Sequence, residues 1–235
     1  MANSAGRHRL IARIIGVLAI AVVAIPAYFI RGGIYFHLVL RFGFLMASIE
    51  FVSVVCGSHF VPLCPSEYAI TALLFIELYV CLIGGGLSVN LLGGCAFVCV
   101  ITDTAAYLVG TLIGGKLIKK HPFPKISPHK SYEGLIAGLI AGVVGAYLWR
   151  AFAMGPGTPI TFWRLALVAP LSVLGDLLES RFKRLYGVKD ANDFLINAPV
   201  LGWLEKPLGG RDGHGGYFDR LDSLALALFV QLLLP

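Results

Sequence analysis

Charged residues are scarce in this chain, since Asp, Glu, Lys and Arg together occupy only 14% of its 235 positions. Soluble domains average about 25% charged residues. Hydrophobic residues make up 57% of the chain, and its mean hydropathy is +0.82. This composition excludes an ordinary soluble domain and indicates an integral membrane protein.

The signatures of several enzyme classes are also absent from the sequence. It contains no Walker loop, no Ser-His-Asp order and no set of zinc ligands. Its five cysteines form no C-x-x-C pair and lie in or beside apolar stretches, which favours packing roles over a metal site. The net charge is +6, but no basic run alternates with aromatic residues, so the sequence does not favour a nucleic acid partner.

Long apolar runs dominate what is present, and about 20 apolar residues can cross a bilayer as a helix. The sequence predicts six such runs, a shorter apolar tail and no cleavable signal peptide. The runs are Leu10–Ile30, Ile34–Val55, Tyr68–Ile83, Leu91–Val109, Leu135–Phe152 and Ile160–Leu178, and the tail is Leu224–Leu234. We therefore expect an all-α integral membrane protein with one domain over residues 1–235, a polytopic bundle of about seven transmembrane segments.

The basic residues predict how this bundle is oriented. The N-terminal tail and the two polar segments Gly114–Gly134 and Glu179–Asp222 hold 15 of the 19 Lys and Arg residues. Basic residues concentrate in cytoplasmic loops of membrane proteins. We therefore expect the N-terminus and both polar segments, as two catalytic loops, on the cytoplasmic side.

Two polar clusters lie in the middle of the chain. "TDTAAY" places Asp103 inside a predicted spanning helix, where an acid is costly and usually functional. Pairing with a structural Lys or Arg is the alternative. "SPHKSYEG" comes just before the next helix: Ser131 resembles a helix entry, Lys130 is expected to face the membrane surface, and Glu133 lies in the first turn, where the helix dipole favours an acid. An ordinary helix cap is the alternative there.

Two further clusters lie towards the C-terminus. In "GDLLESRFKR", a continuing helix would place Asp176, Ser180 and Lys183 on one face, with Glu179 beside them. An amphipathic exit helix is the alternative. In "GHGGYFDRLDS", Asp219 and Asp222 are three residues apart and would share a helical face, with Arg220 between them in the sequence. The glycines there allow close approach of the backbone to a bound group.

Clustered carboxylates beside basic, Gly-rich segments suit one kind of chemistry. Mg²⁺ typically takes one or two carboxylates together with phosphate oxygens of the substrate. Lys and Arg then neutralise the remaining phosphate charge. The clusters therefore favour metal-assisted phosphoryl or nucleotidyl transfer at the membrane surface, with a lipid as the natural substrate.

The same residues resemble a known family. "SRFKRLYGVKD" followed by "HGGYFDRLD" resembles the C-terminal signature of the phosphatidate cytidylyltransferase (CDP-diacylglycerol synthase) family. "DTAAYLVGTLIGG" and "SPHKSYEG" resemble two further stretches of that family, in the same order. The resemblance covers about residues 102–223, the region in which the catalytic motifs are expected.

The resemblance implies a reaction: CTP and phosphatidic acid give CDP-diacylglycerol and pyrophosphate, with Mg²⁺ and a neighbouring K⁺, in a protein that forms homodimers. Carried over by motif position, the metal ligands would be Asp176, Asp219 and Asp222, which would be catalytic together with Lys183 and Arg220. The residues that would bind or support the substrates are Ser127, Lys130, Ser180, Arg184, Lys189, His214, Asp103, Glu133 and Asp190.

The chain departs from the family pattern in one long segment. Residues 191–213 separate the Lys-Asp motif from His-Gly-Gly, where the family usually has a short link. A CTP-dependent kinase acting on a polyprenol or diacylglycerol is the alternative enzyme. A transporter using Glu50, Glu77 and Asp103 is the alternative without catalysis, but the matched, broken helices expected of many transporters are not evident.

Overall fold

The computed structural model describes residues 30, 34–57, 62–84, 86–155, 157–188 and 217–234. Contacts divide the chain into a unit of residues 1–42 and a unit of residues 43–235. The described part of the first unit is residue 30 and the start of one helix. Every candidate site residue described below lies in the second unit.

The described residues form helices and no strand, as the all-α prediction requires. We label the helices α1 (Ile34–Gly57), α2 (Pro65–Ile83), α3 (Val89–Ile113), α4 (Tyr132–Phe152), α5 (Phe162–Ala166), α6 (Val168–Leu185) and α7 (Phe218–Leu233). Hydroxyl side chains begin three of them. Ser88, Ser131 and Thr161 each accept a hydrogen bond from a backbone N–H in the first turn, which satisfies a donor that has no partner within the helix.

Four of the helices, α1 to α4, are long and apolar enough to cross a membrane. They coincide with the second to fifth predicted spans, with ends that differ by a few residues. The first predicted span, Leu10–Ile30, lies outside the described residues except for its last position. The protein is therefore an all-α integral membrane protein, while the number of seven spans stays a prediction.

The sixth predicted span, Ile160–Leu178, differs from the structure. The chain there forms the short helix α5 and then α6, which continues past Leu178 to Leu185. The continuation is polar because it carries the acidic and basic residues of the "GDLLESRFKR" cluster. The apolar stretch therefore ends inside a helix whose last turns serve the candidate site.

Glycines bring α3 and α4 into direct backbone contact. Gly134, Gly138 and Gly142 recur every four residues on α4. A Cβ at Gly138 would lie 2.8 Å from the backbone oxygen of Thr102, and a Cβ at Gly142 would lie 2.3 Å from the Thr102 hydroxyl oxygen. This small-xxx-small pattern is typical of close packing between membrane helices.

The C-terminal helix α7 lies in the core of the described bundle. Most of its residues from Phe218 to Leu228 are buried, and the thiols of Cys81 and Cys99 donate to carbonyl oxygens of Ala225 and Ser223. The predicted tail Leu224–Leu234 thus belongs to a helix that begins six residues earlier and packs against α2, α3 and α6.

Arg164 of α5 caps the C-terminal end of α7. Its guanidinium donates to the side-chain and backbone oxygens of Gln231 at 2.8 and 2.7 Å, and to the Leu234 carbonyl at 3.2 Å. Cations stabilise this end of a helix because its last carbonyl groups have no partner within the helix. The cap anchors the end of α7 opposite to the one that bears Asp219.

Candidate active site

Helix α6 carries the first half of the candidate site along one face. Asp176, Ser180 and Lys183 follow one another at helical spacing, as the sequence predicts for a continuing helix. The Ser180 hydroxyl donates to Oδ1 of Asp176 at 3.4 Å. The polar end of α6 is therefore an ordered row of side chains.

A glycine brings the second half, on α7, against α6. A Cβ at Gly175 would lie 2.4 Å from the carbonyl oxygen of Asp222, so the two backbones are in contact there. This contact places Asp222 beside Asp176, the neighbour of the glycine. Asp176, Glu179 and Asp222 each offer a carboxylate oxygen, and these atoms all lie within 4.8 Å of one another.

Asp103 of α3 lies beside this group. Its carboxylate lies near the side chain of Ser223, and it is close enough to Asp176 and Asp222 for their charges to interact. The "TDTAAY" cluster thus lies beside the "GDLLESRFKR" and "GHGGYFDRLDS" clusters in the folded protein. Close carboxylates are costly without a cation between or beside them.

Two lysines supply positive charge to these acids. Lys130, which we expected to face the membrane surface, forms an ion pair with Asp176. Lys183 lies 2.6 Å from Oε1 of Glu179 and 3.0 Å from Oδ1 of Asp219. Burial lowers the pKa of Lys183, but the two carboxylates outweigh burial and hold that pKa above its ordinary value, so the ammonium stays charged.

Glu179 is a site residue that the sequence analysis placed beside the others without assigning it a role. Its side chain is almost fully buried between α6 and α7. Burial raises the pKa of its carboxyl group well above the ordinary value, and a hydrogen bond with Asp219 acts in the same direction. Its spacing of three residues from Asp176 was the available signal, because such positions are neighbours on a helix.

Asp219, by contrast, is not one of the three clustered acids among the described residues. Its described ion pair is with Lys183, one side of a bridge from α7 to α6. The prediction that Asp219 is itself a metal ligand stays a prediction.

Glu133 holds the loop that carries Lys130. Its carboxylate accepts hydrogen bonds from the backbone N–H groups of Gly115, Leu117 and Ile118 at 2.9 to 3.2 Å. The Ser131 hydroxyl caps the same helix through the N–H of Gly134 at 3.2 Å. Both ends of the loop between α3 and α4 are therefore tied to the first turn of α4, directly beside Lys130.

The remaining predicted residues fall into two groups. Ser127 lies in the turn before Lys130, with its backbone bonded to Phe123 and to Lys130. Arg184 and Arg220 are exposed near the ends of α6 and α7 that meet at the site. The others lie outside the described residues: Lys189, Asp190 and His214, together with residues 191–213.

The two further acids of the transporter alternative have different surroundings, although both are fully buried. Glu50 of α1 accepts hydrogen bonds from the backbone at the start of α7. Glu77 of α2 has no hydrogen-bond partner for either carboxylate oxygen within the described part of the chain. Neither arrangement resembles a continuous polar path.

Comparison with known proteins places these motifs in a family. Residues 8–198 match the sequence model of the Cytidylyltransferase family, which covers well over half of the chain. A phosphatidate cytidylyltransferase of Helicobacter pylori (strain J99) is 36% identical over 144 residues, which are 60% of this chain and 48% of the relative.

Two other similar proteins carry the same name. The phosphatidate cytidylyltransferase of Haemophilus influenzae is 38% identical over 131 residues, 54% of this chain and 38% of the relative. That of Mycobacterium tuberculosis (strain H37Rv) is 38% identical over 151 residues, 60% of this chain and 38% of the relative. The matched part of this chain thus spans less than half the length of each of these curated relatives.

Proposed function

The chain belongs to the cytidylyltransferase family, and on that premise we propose that it transfers CMP from CTP to phosphatidic acid. The products would be CDP-diacylglycerol and pyrophosphate, for phospholipid biosynthesis. One observation carries the proposal: three clustered carboxylates and two partly buried ammonium groups meet where α6 and α7 touch. The two proposed substrates follow the name of the relatives, phosphatidate cytidylyltransferase.

The reaction asks more for positioning than for acid or base chemistry. An oxygen of the lipid phosphate attacks the α-phosphorus of CTP, the bond from that phosphorus to the bridging oxygen breaks, and its electrons leave with pyrophosphate. The attacking phosphate is already an anion at neutral pH, so no strong base is required. The protein must hold two anionic substrates in line and balance their charge.

The donor set of the site fits Mg²⁺, which we propose as the cofactor, with K⁺ beside it as the family resemblance implies. Asp176, Glu179 and Asp222 offer only oxygen atoms, within 4.8 Å of one another, and hard cations prefer oxygen ligands. These residues would hold the ion. When bound, Mg²⁺ would neutralise phosphate charge and favour departure of the pyrophosphate.

The basic residues of the site would face the substrate phosphates. Lys130 and Lys183 are held in place by carboxylates, which fixes each ammonium group at the cluster. Arg184 and Arg220 are exposed and can reach a nucleotide arriving from water. One guanidinium group can donate two parallel hydrogen bonds to a phosphate group, so these two side chains suit the triphosphate.

Sidedness and assembly are parts of the same proposal. We propose that the site faces the cytoplasm, because the basic residues concentrate in the segments that carry it. The homodimer implied by the family resemblance is the proposed assembly. Accessibility of Lys130→Cys to an impermeant thiol reagent in sealed vesicles of known orientation tests the first, and cross-linking in the membrane tests the second.

The deciding experiment follows the label of CTP into lipid. The purified protein, Mg²⁺ and phosphatidic acid should convert CTP labelled at the α-phosphate into labelled CDP-diacylglycerol, identified by mass. Transfer from CTP labelled only at the γ-phosphate would indicate a lipid kinase instead. Absence of any labelled lipid with a well-folded protein would overturn both enzyme assignments.

A matched pair of variants tests the acid cluster. Asp222→Asn should reduce turnover at least about 100-fold, because it removes a buried, charged ligand from the group of three acids. Glu67→Gln changes an acid that pairs with Arg181 away from the cluster, and it should keep turnover within about threefold of the wild type, since Glu67 is not one of the three clustered acids. Equal losses in the two variants would contradict the assignment.

A further inference from the structure

The start of α7 is held by a side chain from a distant part of the sequence. The carboxylate of Glu50 accepts hydrogen bonds from the N–H groups of Tyr217 and Phe218, at 2.8 and 2.7 Å. The two residues are 167 and 168 positions away from Glu50. The Glu50 side chain is fully buried, so water does not compete for these bonds.

No local side chain performs this capping task within the described residues. Tyr217 stands at the N-cap position with helical backbone angles and makes no side-chain capping hydrogen bond. The first N–H groups of a helix have no partner within the helix, and that end attracts negative charge. The Glu50 carboxylate meets both requirements, so α1 determines where α7 begins.

Three phenylalanines, one from each helix, pack α1, α6 and α7 against one another. The ring of Phe51 stacks on that of Phe182 with centroids 4.8 Å apart. The ring of Phe218 meets Phe51 at 5.8 Å and Phe182 at 5.6 Å, edge to face in both cases. Each ring is the sequence neighbour of a polar residue at or beside the site: Glu50, Lys183 and Asp219, respectively.

The bonds of Glu50 bear directly on the candidate metal site. Phe218, which Glu50 caps, is followed at once by Asp219, and Asp222 lies one turn further along α7. Asp222 must stay against α6 for its oxygen to remain within 4.8 Å of those of Asp176 and Glu179. A change in where α7 starts would therefore move one of the three acids relative to the other two.

We propose that Glu50 is a positioning residue of the metal site, which acts by capping α7 and thereby holding Asp222 and Asp219 in register with α6. The role rests on the proposed function, since it presupposes a cation at the acid cluster. Residues that orient metal ligands from behind typically change metal affinity or activity by about 10- to 100-fold when substituted. Glu50 touches no substrate in this role.

The test compares Glu50→Gln with Glu77→Gln by titrating Mn²⁺ into the purified protein and recording the free ion by electron paramagnetic resonance. Both variants neutralise a fully buried glutamate in a membrane-spanning helix, but only Glu50 touches α7 through described hydrogen bonds. We expect Glu50→Gln to weaken Mn²⁺ binding by about tenfold and to lower kcat more than it raises KM for CTP. Glu77→Gln should leave Mn²⁺ affinity and turnover within about twofold of the wild type.

The outcomes separate positioning from simple stabilisation. A role in stability alone would lower the melting temperature of Glu50→Gln and leave the Mn²⁺ affinity of the folded protein unchanged, and that result overturns the proposal. If Glu50→Gln does not fold, Glu50→Asp is measured instead; it keeps the charge but shortens the reach, and wild-type Mn²⁺ affinity in it also overturns the proposal.

The same titration distinguishes failure of this inference from failure of the proposed reaction. A wild-type protein that binds Mn²⁺ but forms no CDP-diacylglycerol would contradict the reaction and leave the Glu50 comparison valid. A wild-type protein that binds no Mn²⁺ would overturn the positioning role itself. An active wild type with an equally active Glu50→Gln would overturn only the positioning role.

Discussion

Gly175 of α6 lies so close to Asp222 of α7 that a Cβ on the glycine would fall 2.4 Å from the Asp222 carbonyl oxygen. Asp176 follows this glycine directly, so the contact between the two backbones brings two acids of different helices together. Asp176 and Asp222 then form a group with Glu179. The candidate metal site thus depends on the absence of a single side chain.

Gly175→Ala should therefore damage the site more than its small size suggests. The added methyl group must push α7 away from α6, and overpacking of this kind costs about 1–3 kcal/mol. We expect Mn²⁺ binding to weaken by about tenfold as Asp222 moves from Asp176. Gly155→Ala is the control, because no described heavy atom lies within 4 Å of a Cβ there; equal Mn²⁺ affinities in the two variants would contradict the prediction.

Glu133→Gln should loosen the loop that leads to Lys130. Hydrogen bonds to a charged group contribute about 1.5–3 kcal/mol each, so the amides of Gly115, Leu117 and Ile118 should exchange hydrogen at least about tenfold faster. Hydrogen exchange followed by mass spectrometry measures this directly. Glu67→Gln also removes an acid from the first turn of a spanning helix, and exchange at residues 115–118 should not change in that variant.

Glu77→Leu should stabilise the protein. The Glu77 carboxylate is fully buried and has no hydrogen-bond partner in the described ranges. An unsatisfied buried polar group costs about 1–3 kcal/mol, and an apolar side chain of similar size removes that cost. Thermal unfolding in detergent should show a higher midpoint with unchanged turnover, whereas a lower midpoint would indicate a partner for Glu77 outside those ranges.

Gly142→Leu should disrupt the packing of α4. A Cβ at this position would already lie 2.3 Å from the Thr102 hydroxyl oxygen and 2.6 Å from the Cβ of Ala169, so three helices meet there. We expect the free energy of unfolding to fall by about 1–3 kcal/mol or more. The neighbouring exposed residue provides the control: Val143→Leu should change the unfolding midpoint little, and a similar loss in both variants would contradict the close contact.

Much of the candidate site could be predicted from the sequence because its signals are local. An acid inside an apolar run, as at Asp103, and polar residues at helical spacing, as at Asp176 and Lys183, need no knowledge of the fold. The hydroxyl of Ser131 predicted a helix start in the same way, and the structure confirms that start. These inferences use only the periodicity of a helix and the cost of burying charge.

Other features could not be read in this way because they join distant residues. Lys130 had no visible partner until the fold brought it to Asp176, 46 positions away. The sequence assigned no role to Glu179, because the burial of its side chain depends on packing against α7. The tail after Asp222 looked short for a membrane span, and the reason is that α7 packs among the other helices in the core.

The sequence by itself determined the membrane class, four of the spanning helices and most of the polar residues of the site, since hydropathy and helical spacing act along the chain. Only the tertiary structure decided which acids lie together and which lysines pair with them. It also decided that Glu50 caps the helix that bears Asp219 and Asp222. Those relationships depend on how closely helices approach, and a missing Cβ at Gly175 sets that distance in three dimensions.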